Sequence, residues 1–494
     1  MEYFAFLIFV CLISGISWGT FVYLQKIESS RYLIEFVSFL MSERHTKNHD
    51  DFFVYAEIQK IIEFVLQKKQ KKILLDFFQN RDLFLLHAFL KKHKKFLWAV
   101  LILFFINEEK AVHELEEFIQ KNPNNQKGLA FLSVFYFSEN RNEEALKYLN
   151  LIHEKKSSPY LKALKNYYLA QLALKDAEML EASEYASLAI RGFEKSRAPY
   201  EEARALLLLG TIYRISTLDD VSYFMFDSAL KFYTKIKYFY GQAEALTNLA
   251  MLQVRGEKFS EAQSFLSQGL CIASEHNLTK IKAEILNQQA LLSLLSKNLV
   301  QAKHALFRAL RIHHRIHNSL GEAFSFDLLS YVYLEEKNYN ALLKAAKKSL
   351  AYERKKTDPT AYLDASYLLA TAYFELEDET QSEKILRQMI LFSKQNKSNF
   401  HIANAYTLLG LIYLKQKDLK RARGLFFESL QLEQKNERFN ALVADFANIA
   451  LIDSKVGHVD EARKNLQLAL AYAQKFSDQE IIHLIQSKID ALKS

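Results

Sequence analysis

The chain has 494 residues, half of them hydrophobic, with 65 Lys and Arg against 57 Asp and Glu and a net charge of +8. Two cysteines are far too few for a disulfide framework or a thiolate zinc site, and the modest positive charge, without a basic-aromatic stripe, argues against a nucleic-acid partner. Only 12 Gly and 4 Pro occur, a scarcity that suits long uninterrupted helices.

The chain opens on Tyr3 to Leu24, a stretch without a charged residue. As a helix it would extend roughly 33 Å at about 1.5 Å per residue, enough for a hydrocarbon core of about 30 Å. The expectation is an uncleaved transmembrane anchor over 1–25. A cleaved signal, with Ser17 and Gly19 as a small-x-small site, is the alternative, but the basic stretch that should open such a signal is missing; a buried helix is a third. Lys26, Arg31, Arg44 and Lys47 flank the C-terminal side and no Lys or Arg the other. The positive-inside rule therefore puts the rest of the chain in the cytoplasm.

Residues 26–91 form a basic helical connector. Asp51 to Leu90 carries helical periodicity (Ile58, Ile61, Ile62, Val65) and is expected to cap the helical array that begins near residue 92. Lys68-Lys69-Gln70-Lys71-Lys72 and Lys91-Lys92-His93-Lys94-Lys95 would face anionic headgroups or serve as a solvated helix face. Phe96 to Ile106 is too short to span a bilayer and reads as the first helix of a repeat.

From there the chain is periodic. Ala99, Ala111, Leu115 and Pro123, then Ser133, Tyr136, Ala145 and Leu149, mark two early units. After them a small residue recurs every forty positions: Ala170, Gly210, Ala250, Ala290, Ser330, Ala370, Gly410, Ala450. Twenty residues beyond each lies Ile or Leu, and small residues return at twelve and nineteen with few exceptions (Leu342, Met389). Small residues at fixed places on successive helical stretches permit close helix crossings, so each unit is a helix hairpin. A fixed period of this length means stacked units that bury their apolar faces against one another. Pro123, Pro159, Pro199 and Pro359 all fall between helices.

The copy Tyr406, Leu409-Gly410, Tyr413, Ala422, Phe426, with a second at Leu209-Gly210, Tyr213, Ser222, Phe226, resembles the tetratricopeptide-repeat (TPR) signature. The resemblance covers residues 92 to 494. It implies an all-α fold, an α-solenoid of about ten helix pairs over 92–482 with a closing helix over 483–494, and protein–protein interaction in place of catalysis. An N-terminal anchor joined to cytoplasmic repeats is also similar to the lipopolysaccharide-assembly regulators of bacterial inner membranes, although their C-terminal cysteine-pair metal module is missing here.

In this family the first helix of each unit lines an inner groove. Two residues before the small position stand Asn248, Gln288 and Asn448, with Asn287 and Asn404 close by. Amides offer a donor and an acceptor and can hold an extended peptide backbone without reading its sequence; hydrogen bonds between repeats are the competing use. Arg204 lies six residues before its small position, where later units carry Glu244, Glu284 and Asp364. Acidic groups at those places argue against the carboxylate clamp of chaperone-binding relatives. His313 and His317, one turn apart, lack a third metal ligand and read as a polar helix end. No phosphate loop, nucleophile elbow or zinc-protease motif occurs. The expectation is a membrane-anchored scaffold with no catalytic residue, metal, cofactor, nucleic acid or small-molecule substrate; a peptide-responsive sensor, or a periplasmic or secreted assembly factor if the leader is cleaved, are the alternatives.

Overall fold

The computed structural model describes residues 108–138, 141–153, 157–352, 358–435, 438–475 and 479–492. The anchor over 1–25, the connector over 26–91 and the apolar run from Phe96 to Ile106 lie outside them. Among the described residues no helix is long and apolar enough to cross a membrane. The chain divides into two compact units, one ending at Leu292 and the other starting at Ser293.

The first unit contains α1 (Glu108–Lys121), α2 (Gln126–Ser138), α3 (Asn142–Asn150), α4 (Pro159–Lys175), α5 (Met179–Lys195), α6 (Pro199–Ile215), α7 (Asp219–Ile236), α8 (Phe239–Arg255), α9 (Phe259–Glu275) and most of α10 (Thr279–Leu295). The second contains α11 (Leu299–Arg315), α12 (Ser319–Glu335), α13 (Tyr339–Leu350), α14 (Pro359–Glu375), α15 (Glu379–Gln395), α16 (Asn399–Lys415), α17 (Leu419–Lys435), α18 (Phe439–Val456), α19 (Val459–Lys475) and α20 (Gln479–Ala491). All described elements are helices, packed in consecutive pairs as in an α-solenoid. α4 with α5, α6 with α7, and α8 with α9 pair in the first unit; α14 with α15, α16 with α17, and α18 with α19 pair in the second.

The forty-residue period is two equal halves. Most helices have 17 residues, and the chain enters the left-handed region after each of α4 to α9: Ala177, Arg197, Thr217, Lys237, Glu257 and Asn277 all have φ between 53° and 61°. In each turn the next amide reaches back to close the helix, as in Leu218 N to Tyr213 O at 2.9 Å and Lys258 N to Gln253 O at 2.8 Å. This double closure satisfies carbonyls that a helix end would otherwise leave open. Those backbone bonds offset the strain that the left-handed conformation imposes on residues other than glycine. Pro159, Pro199 and Pro359 stand at helix starts, where no amide is lost and φ is already suitable.

In several repeats the small residue of the first helix packs with the sixteenth residue after it. A Cβ on Gly210 would come within 2.6 Å of the Phe226 ring, and one on Gly410 within 2.7 Å of the Phe426 ring. In three first helices that carry Ala the partner is Leu: Ala250 and Leu266, Ala370 and Leu386, and Ala450 and Leu466 share buried clusters, whereas Ala170 shares its cluster with Ala186. Glycine with phenylalanine and alanine with leucine fill comparable space, as close packing requires. The second small position has its own reason. Ser222 Oγ donates to Gly210 O at 2.7 Å, and Ser382 Oγ to Ala370 O at 2.8 Å, bonds that a longer side chain would not fit.

The closing helix α20 buries Ile485 and Ile489 in the core of α16–α19. The histidine run departs from the sequence reading. His313 is fully buried at the end of α11, with Nδ1 3.1 Å from Asn318 Nδ2. His314 is exposed and meets Glu322 at 3.0 Å, and His317 occupies the left-handed turn after the helix. They do not share a helix face, because the helix stops at Arg315. A polar helix end therefore describes His314, while His313 is a core residue.

Candidate functional site

Three successive first helices of the first unit enclose a recess of about 280 Å³. α4 contributes Tyr167 and Gln171; α6 contributes Tyr200, Arg204, Leu207, Leu208 and Thr211; and α8 contributes Tyr240, Glu244 and Asn248. Tyr233 from the end of α7 and Tyr238 just before α8 complete it. The helices place these groups because 40-residue spacing brings the same turn of each first helix to the same level.

The aromatic rings brace one another. Tyr200 meets Tyr238 edge to face at 5.1 Å between centroids, and Tyr238 lies 5.3 Å from Tyr233. The Arg204 guanidinium lies 4.9 Å from the centre of the Tyr167 ring and 5.7 Å from that of Tyr200, within the range of cation–π attraction. Tyr233 is fully buried; burial first, then the charge of Glu244, holds its hydroxyl well above the usual phenol range. It is therefore a neutral donor or acceptor at any physiological pH. Gln171 Nε2 donates to Tyr167 Oη at 3.1 Å, and Asn248 Nδ2 donates to Glu244 O one turn earlier at 3.0 Å.

Of the six residues singled out in the sequence, Arg204 and Asn248 line this recess together. Gln288 is half-buried on α10, outside the recess lining. Asn287, expected near the groove surface, is only 2% exposed. The correction has a geometric cause: it lies one residue before the groove position, and a step of about 100° around a helix with 3.6 residues per turn carries it to the packed side. Asn404 and Asn448 belong to the second unit, where both are half-buried. Asn404 Oδ1 accepts from Arg438 Nη1 at 3.1 Å, a bond between repeats. The tyrosines went unnoticed in the sequence. Their signal was the aromatic run from Tyr233 through Tyr238-Phe239-Tyr240, with Tyr200 one period before Tyr240.

No family model matches the sequence, and no curated protein matches it. Among solved structures the fold is similar to a Rap protein complexed with competence and sporulation factor, at 14% identity and a TM-score of 0.48, over 71% of this chain and 94% of that one. It is also similar to the apo form of the quorum sensor NprR from B. thuringiensis, at 15% identity and a TM-score of 0.44, over 74% and 94% of the two chains. A tetratricopeptide repeat protein from Parabacteroides merdae gives 18% identity and a TM-score of 0.36, over 56% and 94%.

Proposed function

We propose that this chain is a membrane-anchored scaffold whose repeats grip an extended segment of another protein, with the tyrosine-lined recess of the first unit as the anchor point. The observation that carries this reading is the recess itself. It combines aromatic walls, a guanidinium, a carboxylate and two amides, mostly from three successive first helices, the mixture that fixes the orientation of a bound chain while burying apolar surface. Its volume suits one large side chain of a segment that continues along the groove. Tyr and Arg are also the residues that most often dominate partner binding.

A photocrosslinking amino acid at Thr211, on the recess wall, should capture the partner, whereas one at the exposed Leu188 of α5 should not. Replacing Arg204 and Asn248 with Ala should weaken the Thr211 crosslink, each lost hydrogen bond lowering affinity by about 0.5–1.5 kcal/mol. A crosslink seen only from Leu188, or one from Thr211 that is indifferent to both substitutions, would sink the groove reading.

The anchoring half of the proposal rests on the uncharged sequence from Tyr3 to Leu24 and the basic residues that follow it. Full-length protein should sediment with membranes and resist alkaline extraction. Recovery of a soluble chain beginning near Thr20 would replace the anchor by a cleaved signal and move the repeats out of the cytoplasm.

A further inference from the structure

In the second unit two carboxyl groups are buried near the junction of α17 and α18, and Arg438 pairs with one of them. Glu433 near the end of α17 is 1% exposed, and Asp445 on α18 is fully buried. Arg438, just before α18, donates through Nη1 to Glu433 Oε1 at 2.9 Å and to Asn404 Oδ1 at 3.1 Å, and its guanidinium lies 4.1 Å from the centre of the Phe400 ring. Asp445 Oδ1 accepts from Thr407 Oγ1 at 3.0 Å, and Thr407 is 2.8 Å from Ser429 Oγ. The second oxygen of each carboxyl, Glu433 Oε2 and Asp445 Oδ2, is buried and makes no hydrogen bond within the protein.

An ionised carboxylate left in that state is costly, whereas a carboxylic acid carries no charge to desolvate. The groups facing the pair are few. α16 brings Thr407 and Asn404, α17 itself brings Ser429, the start of α18 brings Arg438, and α14 brings Tyr367, whose hydroxyl is raised by burial and responds to both Arg438 and Asp445. Among the described residues, one positive charge, Arg438, is thus set against two potential negative ones.

We infer that Glu433 and Asp445 form a proton-dependent clasp, which holds α16, α17 and α18 together while the pair keeps a proton and loosens them when both carboxyls ionise. Burial pushes Glu433 up to about 7 against the pull of Arg438, with the charge of Asp445 adding to the rise. Burial likewise pushes Asp445 up to about 6, against the hydroxyls of Ser429 and Thr407 and the charge of Arg438. Both folded values lie above the ordinary carboxyl range of roughly 4. The stabilisation is therefore complete below that range and is lost as pH rises through about 6 to 7. Because the two sites interact, they titrate as a pair. The clasp stands whether or not the groove of the first unit binds a partner, but through Arg438 it reaches Asn404 on a first helix of its own unit.

Hydrogen exchange on the full chain tests it, with protection factors corrected for intrinsic exchange at pH 5.5, 6.5, 7.5 and 8.5. Between the lowest and highest pH, α17 and α18 should lose about tenfold more protection than α4 to α6 of the same molecule, the change that 1.4 kcal/mol brings. Glu433→Gln with Asp445→Asn copies the neutral pair and should abolish that difference, while Arg438→Met should deepen the loss. A uniform response along the chain, a double variant that falls as the wild type does, or a double variant that fails to fold while Arg438→Met leaves the profile unchanged, would each overturn the clasp.

Discussion

Replacing Phe426 with Ala should lower the unfolding free energy of the second unit by about 3–5 kcal/mol, the usual cost of removing a fully enclosed aromatic ring. Phe426 has no exposed surface and joins Ala422, Leu430, Leu442 and Ile449 in one core. Its ring lies where a Cβ on Gly410 would come within 2.7 Å of Cε1 and 2.9 Å of Cζ. Gly410→Leu should therefore overpack the same crossing, at about 1–3 kcal/mol. The stronger test combines Gly410→Ala with Phe426→Leu, which recreates the alanine-leucine pairing of Ala370 with Leu386 and Ala450 with Leu466. In urea unfolding, the double variant should be less destabilised than the sum of its parts by about 0.5–3 kcal/mol. Additive losses would mean that the two positions are not a packing pair.

Gly192→Leu is the second large effect expected. A Cβ there would meet Ala163 Cβ at 2.7 Å, and the Ala163 Cα and Pro159 O at 3.3 Å each. A ring such as that of Phe426 can tilt, but here the obstacle is the main chain of α4. The cost should reach the upper part of the roughly 1–3 kcal/mol range for overpacked sites, with lost exchange protection confined to α4 and α5. Gly424 of α17 serves as the control, since nothing lies within 4 Å of a Cβ built on it. There Gly→Ala should stabilise by about 0.5–1 kcal/mol through the backbone entropy of the unfolded chain. If Gly192→Leu proved as mild as Gly424→Ala, the close approach of α4 and α5 would be wrong.

The half-period shows why part of the architecture was hidden. Turns are ordinarily legible through Gly and Asn, the residues that enter left-handed backbone without strain. Here Asn277 and Gly457 keep to that rule, but most of the described turns are held by other residues, among them Ala177, Arg197, Thr217, Lys237 and Glu257, so composition could mark few of them. Asn287 shows the same limit for the site. Its residue type and approximate register suited a groove, but one residue of offset decided between a surface amide and a buried one.

The sequence by itself determined the all-helical repeat and its period, because the small residues that allow two helices to approach must recur wherever the helices cross. It also determined the apolar opening stretch and its basic flank. Only the tertiary structure decided that Arg204 and Asn248 share a recess with five tyrosines, that His313 is core and His314 surface, and that Glu433 and Asp445 are both buried, with Arg438 on Glu433. A periodic pattern records contacts that every repeat makes alike. A site is made where one repeat differs from its neighbours, and which of those differences meet depends on the side-chain directions of several helices at once.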